Sequence, residues 1–391
     1  MGPLTGFRIV EIAGIGPGQF CGMLLADMGA QLMRIDRKAD ADPDIGIPAK
    51  FNLMNRSRPA IGVDLKSPPG VDLVLRLCEN ADALFEGFRP GVMERLGLGP
   101  GDCMARNASL VYGRMTGWGQ TGPLADAVGH DGNYAALAGV ISAIGERDGP
   151  PSIPLNLTAD FGGGGAYLAM GILAALLETS RSGKGQIVDA AMVDGAASLM
   201  TLFYGLHAGG FWLDQRGSNI LDGAAPFYRA YRTSDEQYVI VCAIEQRFFR
   251  ALIELLGVDD IGLAEQHDKS KWPQQIERFE AVFASKTRDE WCELLEGTDA
   301  CFAPILSLTE APRHPHNEAR KTFVTVDGIQ QPAPAPRFSR TKSEIQNAPG
   351  EAGENDRKAL LDWGLSESEV NNILRSVNAD PQDSQGVKVR T

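Results

Sequence analysis

The 391-residue chain is poor in the residues that most metal and redox sites require. It has 5 histidines and 6 cysteines, with no C-x-x-C pair and no H-E-x-x-H, so nothing in the spacing points to a zinc site. His314 and His316 stand in a Pro-containing stretch that reads as a solvated loop. The scattered cysteines (Cys21, Cys78, Cys103, Cys242, Cys292, Cys301) fit reduced thiols better than a disulfide framework. Basic residues are also in deficit: 37 Lys and Arg against 50 Asp and Glu leave a net charge of −13, which excludes the basic footprint of a nucleic-acid binder. The longest apolar run, roughly residues 161–177, is shorter than the ~20 residues of a membrane span and carries glycines, so a buried helix is expected. The start, Met1-Gly2-Pro3-Leu4, leads directly into a strand with no leader-like segment, and the end, Lys388-Val389-Arg390-Thr391, is not S-K-L. A cytoplasmic location is the corresponding expectation.

What is abundant is glycine, 45 residues without any low-complexity tract, so the glycines punctuate structure. At this length two domains, or one discontinuous domain with an insertion, are expected. Strand-like 7–12 and 31–36 flank a helical segment from Gln19 to Met28; strands at 60–65, 83–86 and 109–115 follow, separated by helices. This alternation predicts an α/β large domain with a Rossmann-like, doubly wound parallel sheet over residues 1–190. A helix is expected from Asp160 to about Thr179, a strand at 186–190, and a linker over 191–226 in which a helix from Met192 to His207 precedes a Gly- and Asn-rich stretch. Residues 227–311 read as a smaller α+β domain and 312–332 as a return linker; 333–391 complete the large domain. There Ser366 and Glu369 make a capping box ahead of the stripe Val370, Ile373, Leu374 and Val377.

Several segments carry possible chemistry. Gly14-Ile15-Gly16-Pro17-Gly18 follows a strand like a dinucleotide turn, but Gln19 stands where the third glycine belongs, so a tight turn without a dinucleotide is the reading. Arg37, Arg56, Arg58, Lys66, Arg89 and Arg95 lie near strand carboxyl ends in a region of balanced charge, where a phosphate-bearing ligand would find partners. His130 sits in a Gly-flanked turn, where an isolated histidine is ordinarily structural. Asp160 opens an apolar helix and is followed by Gly162 to Gly165. A simple N-cap would not call for so poor a helix start; close approach of a ligand, or amides available to an oxyanion, would. Glu245 also opens a helix, where dipole complementation is the ordinary explanation.

Taken in order, Glu11-Ile12-Ala13-Gly14, Leu24 to Ala30, Met33-Arg34-Ile35-Asp36, Val63-Asp64-Leu65-Lys66-Ser67, Phe88-Arg89-Pro90-Gly91, Arg95-Leu96-Gly97, Gly117-Trp118-Gly119-Gln120-Thr121-Gly122-Pro123 and Gly183-Lys184-Gly185-Gln186 make the chain resemble the class III CoA-transferases over nearly its whole length. Asp36 stands where much of that family has Glu. Gly129 to Tyr134, Asp160 to Gly164, Asn219 to Gly223 and Ala243-Ile244-Glu245 are similar to the alpha-methylacyl-CoA racemase branch. The resemblance implies an interlocked homodimer of a CoA-binding large domain and a small domain. His130 and Asp160 would be the acid/base pair, with Glu245 orienting His130 from its own or the partner chain.

The resemblance further implies that CoA is held by Arg37, by Val63, Asp64, Leu65 and Lys66, by Gly87, Phe88 and Arg89, by Arg95, and by Gly129, Asp131, Gly132, Asn133 and Tyr134 together with His130. CoA is then part of the substrate, and no separate cofactor is expected. Inverting a carbon α to a thioester needs a base on one face and an acid on the other, which two titratable groups of different type supply. Amides at the Asp160 helix start are expected to face the enolate oxygen. The rival reading is a CoA-transferase in which Asp160 attacks the thioester; a non-catalytic acyl-CoA-binding protein is the third.

Overall fold

A computed structural model of the chain describes residues 2–37, 47–350 and 356–378, with side chains of the last helix to Arg375. It divides into two compact units, one of residues up to 138, 155–199 and 323 onward, the other of 139–154 and 200–322.

The first unit is built on six strands, β1 (Arg8–Ile12), β2 (Gln31–Asp36), β3 (Ala60–Gly62), β4 (Ala83–Glu86), β5 (Val111–Thr116) and β6 (Ile187–Ala191), in the order β3-β2-β1-β4-β5-β6. Every pairing is parallel, which requires a crossover between successive strands and buries both faces of the central ones. β4 and β5 are buried at every residue, as near-continuous apolar strands of such a sheet should be. The order reverses between β1 and β4, and the crevice at the carboxyl ends of those strands is where open α/β sheets take ligands.

The helix over Leu157–Ser182 is apolar, and among the described residues it alone has the length and composition to cross a membrane. Leu168, Ala169, Ile172, Ala175 and Leu176 are buried, and Leu168 and Ile172 press on Gly113 of β5. The expectation of a wholly buried helix is too simple, because Met170 and Leu177 are each 57% exposed. The C-terminal helices Asp356–Asp362 and Glu367–Asn378 return to this unit. Trp363, Val370 and Ile373 enter the core beside Leu73 and Leu77, and Glu369 accepts the Ser366 amide at 2.7 Å, forming the expected box. The Val377 side chain lies outside the described residues.

The second unit has three antiparallel strands, β7 (Tyr228–Arg232), β8 (Tyr238–Cys242) and β9 (Phe302–Pro304). Helices Gln246–Leu256, Trp272–Phe283 and Arg288–Leu295 cover them, with Phe227, Tyr231, Phe249, Phe279, Phe283 and Trp291 filling the core. Tyr231 stacks on Phe283 with ring centroids 4.9 Å apart.

Three boundaries differ from the sequence reading. Residues 139–154 go with the second unit, held there by Arg216, which donates to the carbonyls of Glu146 and Gly149. The expected linker at 191–226 begins with two helices, Met192–Leu199 in the first unit and Thr201–Ala208 in the second. The expected return linker contains a hairpin, Phe323–Val326 with Ile329–Pro332, whose Asp327-Gly328 turn has φ of 50° and 75°, the two left-handed residues that an Asp-Gly hairpin turn needs. Arg56 anchors it, donating to Gln331 Oε1 and the Pro332 carbonyl at 2.9 Å each.

Candidate active site

β5 ends at Thr116 and runs through Gly117-Trp118-Gly119 toward the His130 turn. Tyr134, one turn into the helix Asp131–Leu137, lays its ring across Gly117 and Gly129: a Cβ at either glycine would lie 2.1 or 2.8 Å from it. Its hydroxyl donates to the Gly129 carbonyl, and Trp118 meets the ring edge-on at 4.7 Å. Asn133 Oδ1 accepts the His130 amide at 3.0 Å. The peptide on either side of His130 is therefore pinned, while the histidine itself is exposed.

Asp160 lies in the first turn of a widened helical stretch, Leu157–Ala166, of the π type. Such a stretch leaves more amides without a helical partner than an α-helix does. Asp131 satisfies two of them, its Oδ1 accepting the amides of Ala159 and Asp160 at 2.7 Å each. Those two N–H groups are thus not free for an enolate oxygen, contrary to the expectation from sequence. Asn156 Nδ2 donates to Asp160 Oδ2 at 3.2 Å, and the turn before the first helix comes close as well. Gly16 has φ of +72° and a Cβ there would lie 3.0 Å from Asp160 Oδ2. The four glycines owe their presence to packing: a Cβ on Gly163 would meet Ala196 N at 2.5 Å, and one on Gly165 would meet the Pro17 carbonyl at 2.6 Å.

Half-buried Asp160 has its carboxyl pushed above the usual range, first by burial and then by the charge of Asp131, against the Asn156 hydrogen bond and the attraction of His130. A carboxyl moved toward neutral pH is a better proton shuttle at that pH. His130, Asp131, Asn156, Asp160 and Tyr134 thus form one connected site, with the Gly16 turn as its wall. Sequence reasoning passed over Asn156, although an amide side chain four residues before a singled-out carboxylate is a readable signal. It also singled out Gly16 without its neighbour, which only the fold supplies.

Of the residues expected around CoA, Arg37, Lys66, Arg89 and Arg95 are exposed near the carboxyl ends of β2, β3 and β4. Asp64 makes a tight turn by accepting the Lys66 amide at 2.9 Å, Gly87 is exposed, and Leu65 and Phe88 rest against the core. Val63 is buried in that core, so only its backbone can face a ligand. Asp131 and Tyr134 are also buried, with Asp131 Oδ1 taken by two amides and the Tyr134 hydroxyl by the Gly129 carbonyl; exposed Asn133 has its Oδ1 on the His130 amide, and Gly129 and Gly132 offer backbone alone. Arg56 and Arg58 are not ligand arginines: both are buried, Arg56 against Asp27 and Arg58 against Glu11 and Asn55.

Glu245 belongs to the second unit, exposed at the start of the helix Gln246–Leu256. Its approach is fixed by Gln266 Nε2, which donates to the carbonyls of Ala243 and Ile244 at 3.2 and 2.8 Å. A cleft of about 1340 Å³ in the same unit, lined by Arg147, Arg229, Arg232 and Glu236 among others, includes none of the expected site residues.

Residues 4–356 match CoA-transferase family III. The chain is 43% identical over 371 residues to the alpha-methylacyl-CoA racemase of Mus musculus and 41% over 370 to that of Homo sapiens, in each case across 94% of this chain and 95% of the relative. A CAIB/BAIF family protein from Brucella suis superimposes with a TM-score of 0.78 at 26% identity, covering 93% of this chain and 99% of that one. With the family match over residues 4–356 and this identity and coverage in agreement, the chain belongs to CoA-transferase family III.

Proposed function

We propose that this protein is a racemase that inverts the α-carbon of 2-methylacyl-CoA thioesters by 1,1-proton transfer through an enolate. His130 and Asp160 are the two acid/base groups, one removing the α-proton and the other returning a proton to the opposite face. The observation that carries this reading is the bonding of Asp131, the neighbour of His130, to the Asp160 amide, which places the two titratable residues in one site; the two racemases at 43% and 41% identity support it. Glu245 orients His130, from its own chain or from a partner. The phosphates of CoA meet Arg37, Lys66, Arg89 and Arg95, and backbone of 63–66, 87–89 and 129–133 lines its path.

The working form is a homodimer, for which the exposed Met170 and Leu177 supply apolar surface. Six free thiols favour a reducing, cytoplasmic setting. The competing reaction, CoA transfer through an anhydride on Asp160, draws support from family membership, but it makes no use of His130. Incubating a 2-methylacyl-CoA in heavy water without any carboxylic acid acceptor decides between them. Deuterium enters the α-position if the proposal holds; no exchange, with CoA passing to an added acid, overturns it. His130→Ala and Asp160→Ala each abolish exchange while CoA binding survives.

A further inference from the structure

We propose that Asp131 is a positioning residue that braces Asp160 and couples its placement to that of His130; this rests on the acid/base reading of those two residues. The helix that carries Asp160 has no local cap, since Asn156, the residue before its first turn, makes no side-chain capping bond. The cap comes from a distant segment. Asp131 Oδ1 receives the amides of both Ala159 and Asp160 at 2.7 Å, and Asp131 is the residue next to His130 in the chain. A displacement of either arm of the proton-transfer pair is thereby passed to the other through one side chain.

The cost of this arrangement argues for a role beyond capping. Asp131 is 4% exposed, and its Oδ2 has no hydrogen-bond partner among the described residues. A neutral acceptor would hold the same two amides without burying a charge. The charge does one thing that a neutral acceptor cannot: it faces Asp160 and disfavours its ionised form. The other polar groups facing Asp160 are His130, the Asn156 amide and the Tyr134 hydroxyl, the last also within the field of Arg89.

Two variants separate holding from tuning. Asp131→Asn keeps an oxygen for the two amides and removes the charge, and Asp131→Ala removes both. In Asp131→Ala the Ala159 and Asp160 amides lose hydrogen-exchange protection and kcat falls ~100-fold with KM within about twofold. In Asp131→Asn those amides stay protected, and the acidic limb of the kcat/KM profile moves to lower pH by ~0.5 pH unit. Carbon-13 carboxyl titration of Asp160, assigned with Asp160→Asn, follows the same shift without turnover. An Asp160 titration unmoved in Asp131→Asn, or unchanged protection of both amides in Asp131→Ala, overturns the proposal. Because titration and exchange protection need no substrate, a chain that failed the α-deuteration test would sink the racemase reading while leaving these two measurements to judge Asp131 by themselves.

Discussion

Glu86, the last residue of β4, makes stability a function of pH next to the segment proposed to hold CoA. It is buried, Oε2 accepts the Phe88 amide at 2.7 Å, and Oε1 lies 3.4 Å from Arg114. Arg114 is shared with Glu94, whose Oε1 is 2.9 Å away. Burial therefore wins over the Phe88 bond and the partial ion pair, and the Glu86 carboxyl is pushed from 4.5 up to about 7. The folded state then holds a proton that the unfolded chain releases, so folding is weakened as pH rises from about 4.5 to about 7 and stays weakened above that. The displacement corresponds to at most ~3 kcal/mol. Glu86→Gln keeps a carbonyl for the Phe88 amide but turns its NH2 toward Arg114, a loss of ~1 kcal/mol at any pH. The variant should melt slightly below the parent at pH 4.5 and above it at pH 8, the difference swinging by roughly 3–4 °C across the window for a chain of this size. Thermal unfolding followed by circular dichroism at fixed protein concentration measures it. A melting difference that stays constant from pH 4.5 to 8 would falsify the assignment of Glu86 as a buried, titrating carboxyl.

Two further substitutions probe other layers. Gly16→Ala forces a Cβ into a backbone of φ +72° and to 3.0 Å from Asp160 Oδ2, so kcat should drop ~10-fold or more while CoA binding changes little; equal kcat in steady-state assays would mean that the turn does not wall the site. Trp363→Ala empties a fully buried indole between the C-terminal helices and the helix bearing Leu77, at a cost of ~3–5 kcal/mol. Limited proteolysis should then cut within 356–378 before the sheet unfolds, and a cutting pattern identical to the parent's would show that the return segment is not docked through Trp363.

The elements that were legible in advance are those whose signal is local. In the helix Gln246–Leu256, which Glu245 was expected to open, the four core positions Phe249, Leu252, Ile253 and Leu256 recur at helical spacing and Gly257 ends it with a left-handed conformation. The parallel sheet followed from strand and helix alternation, and the Ser366 box from its four-residue pattern. The boundaries at 139–154 and at Phe323 were not legible, because a turn's membership of one unit or another depends on a remote arginine or hydrogen bond. Arg56 and Arg58 show the same limit: in the sequence they are two more basic residues among Arg37, Lys66 and Arg89, and only the placement of Asp27 and Glu11 opposite them makes them internal.

The sequence by itself determined the alternation that makes a parallel sheet, the glycine turns, and the residue types able to move a proton, because each is written in neighbours a few positions apart. The tertiary structure alone decided that Gly16 stands against Asp160 and that Asp131 Oδ1 receives the amides of Ala159 and Asp160. These depend on atoms brought together from positions 28 or more apart in the sequence in the case of Asp131, and burial, which sets both the charge state of a carboxyl and the worth of its hydrogen bonds, exists only once the chain has closed around it.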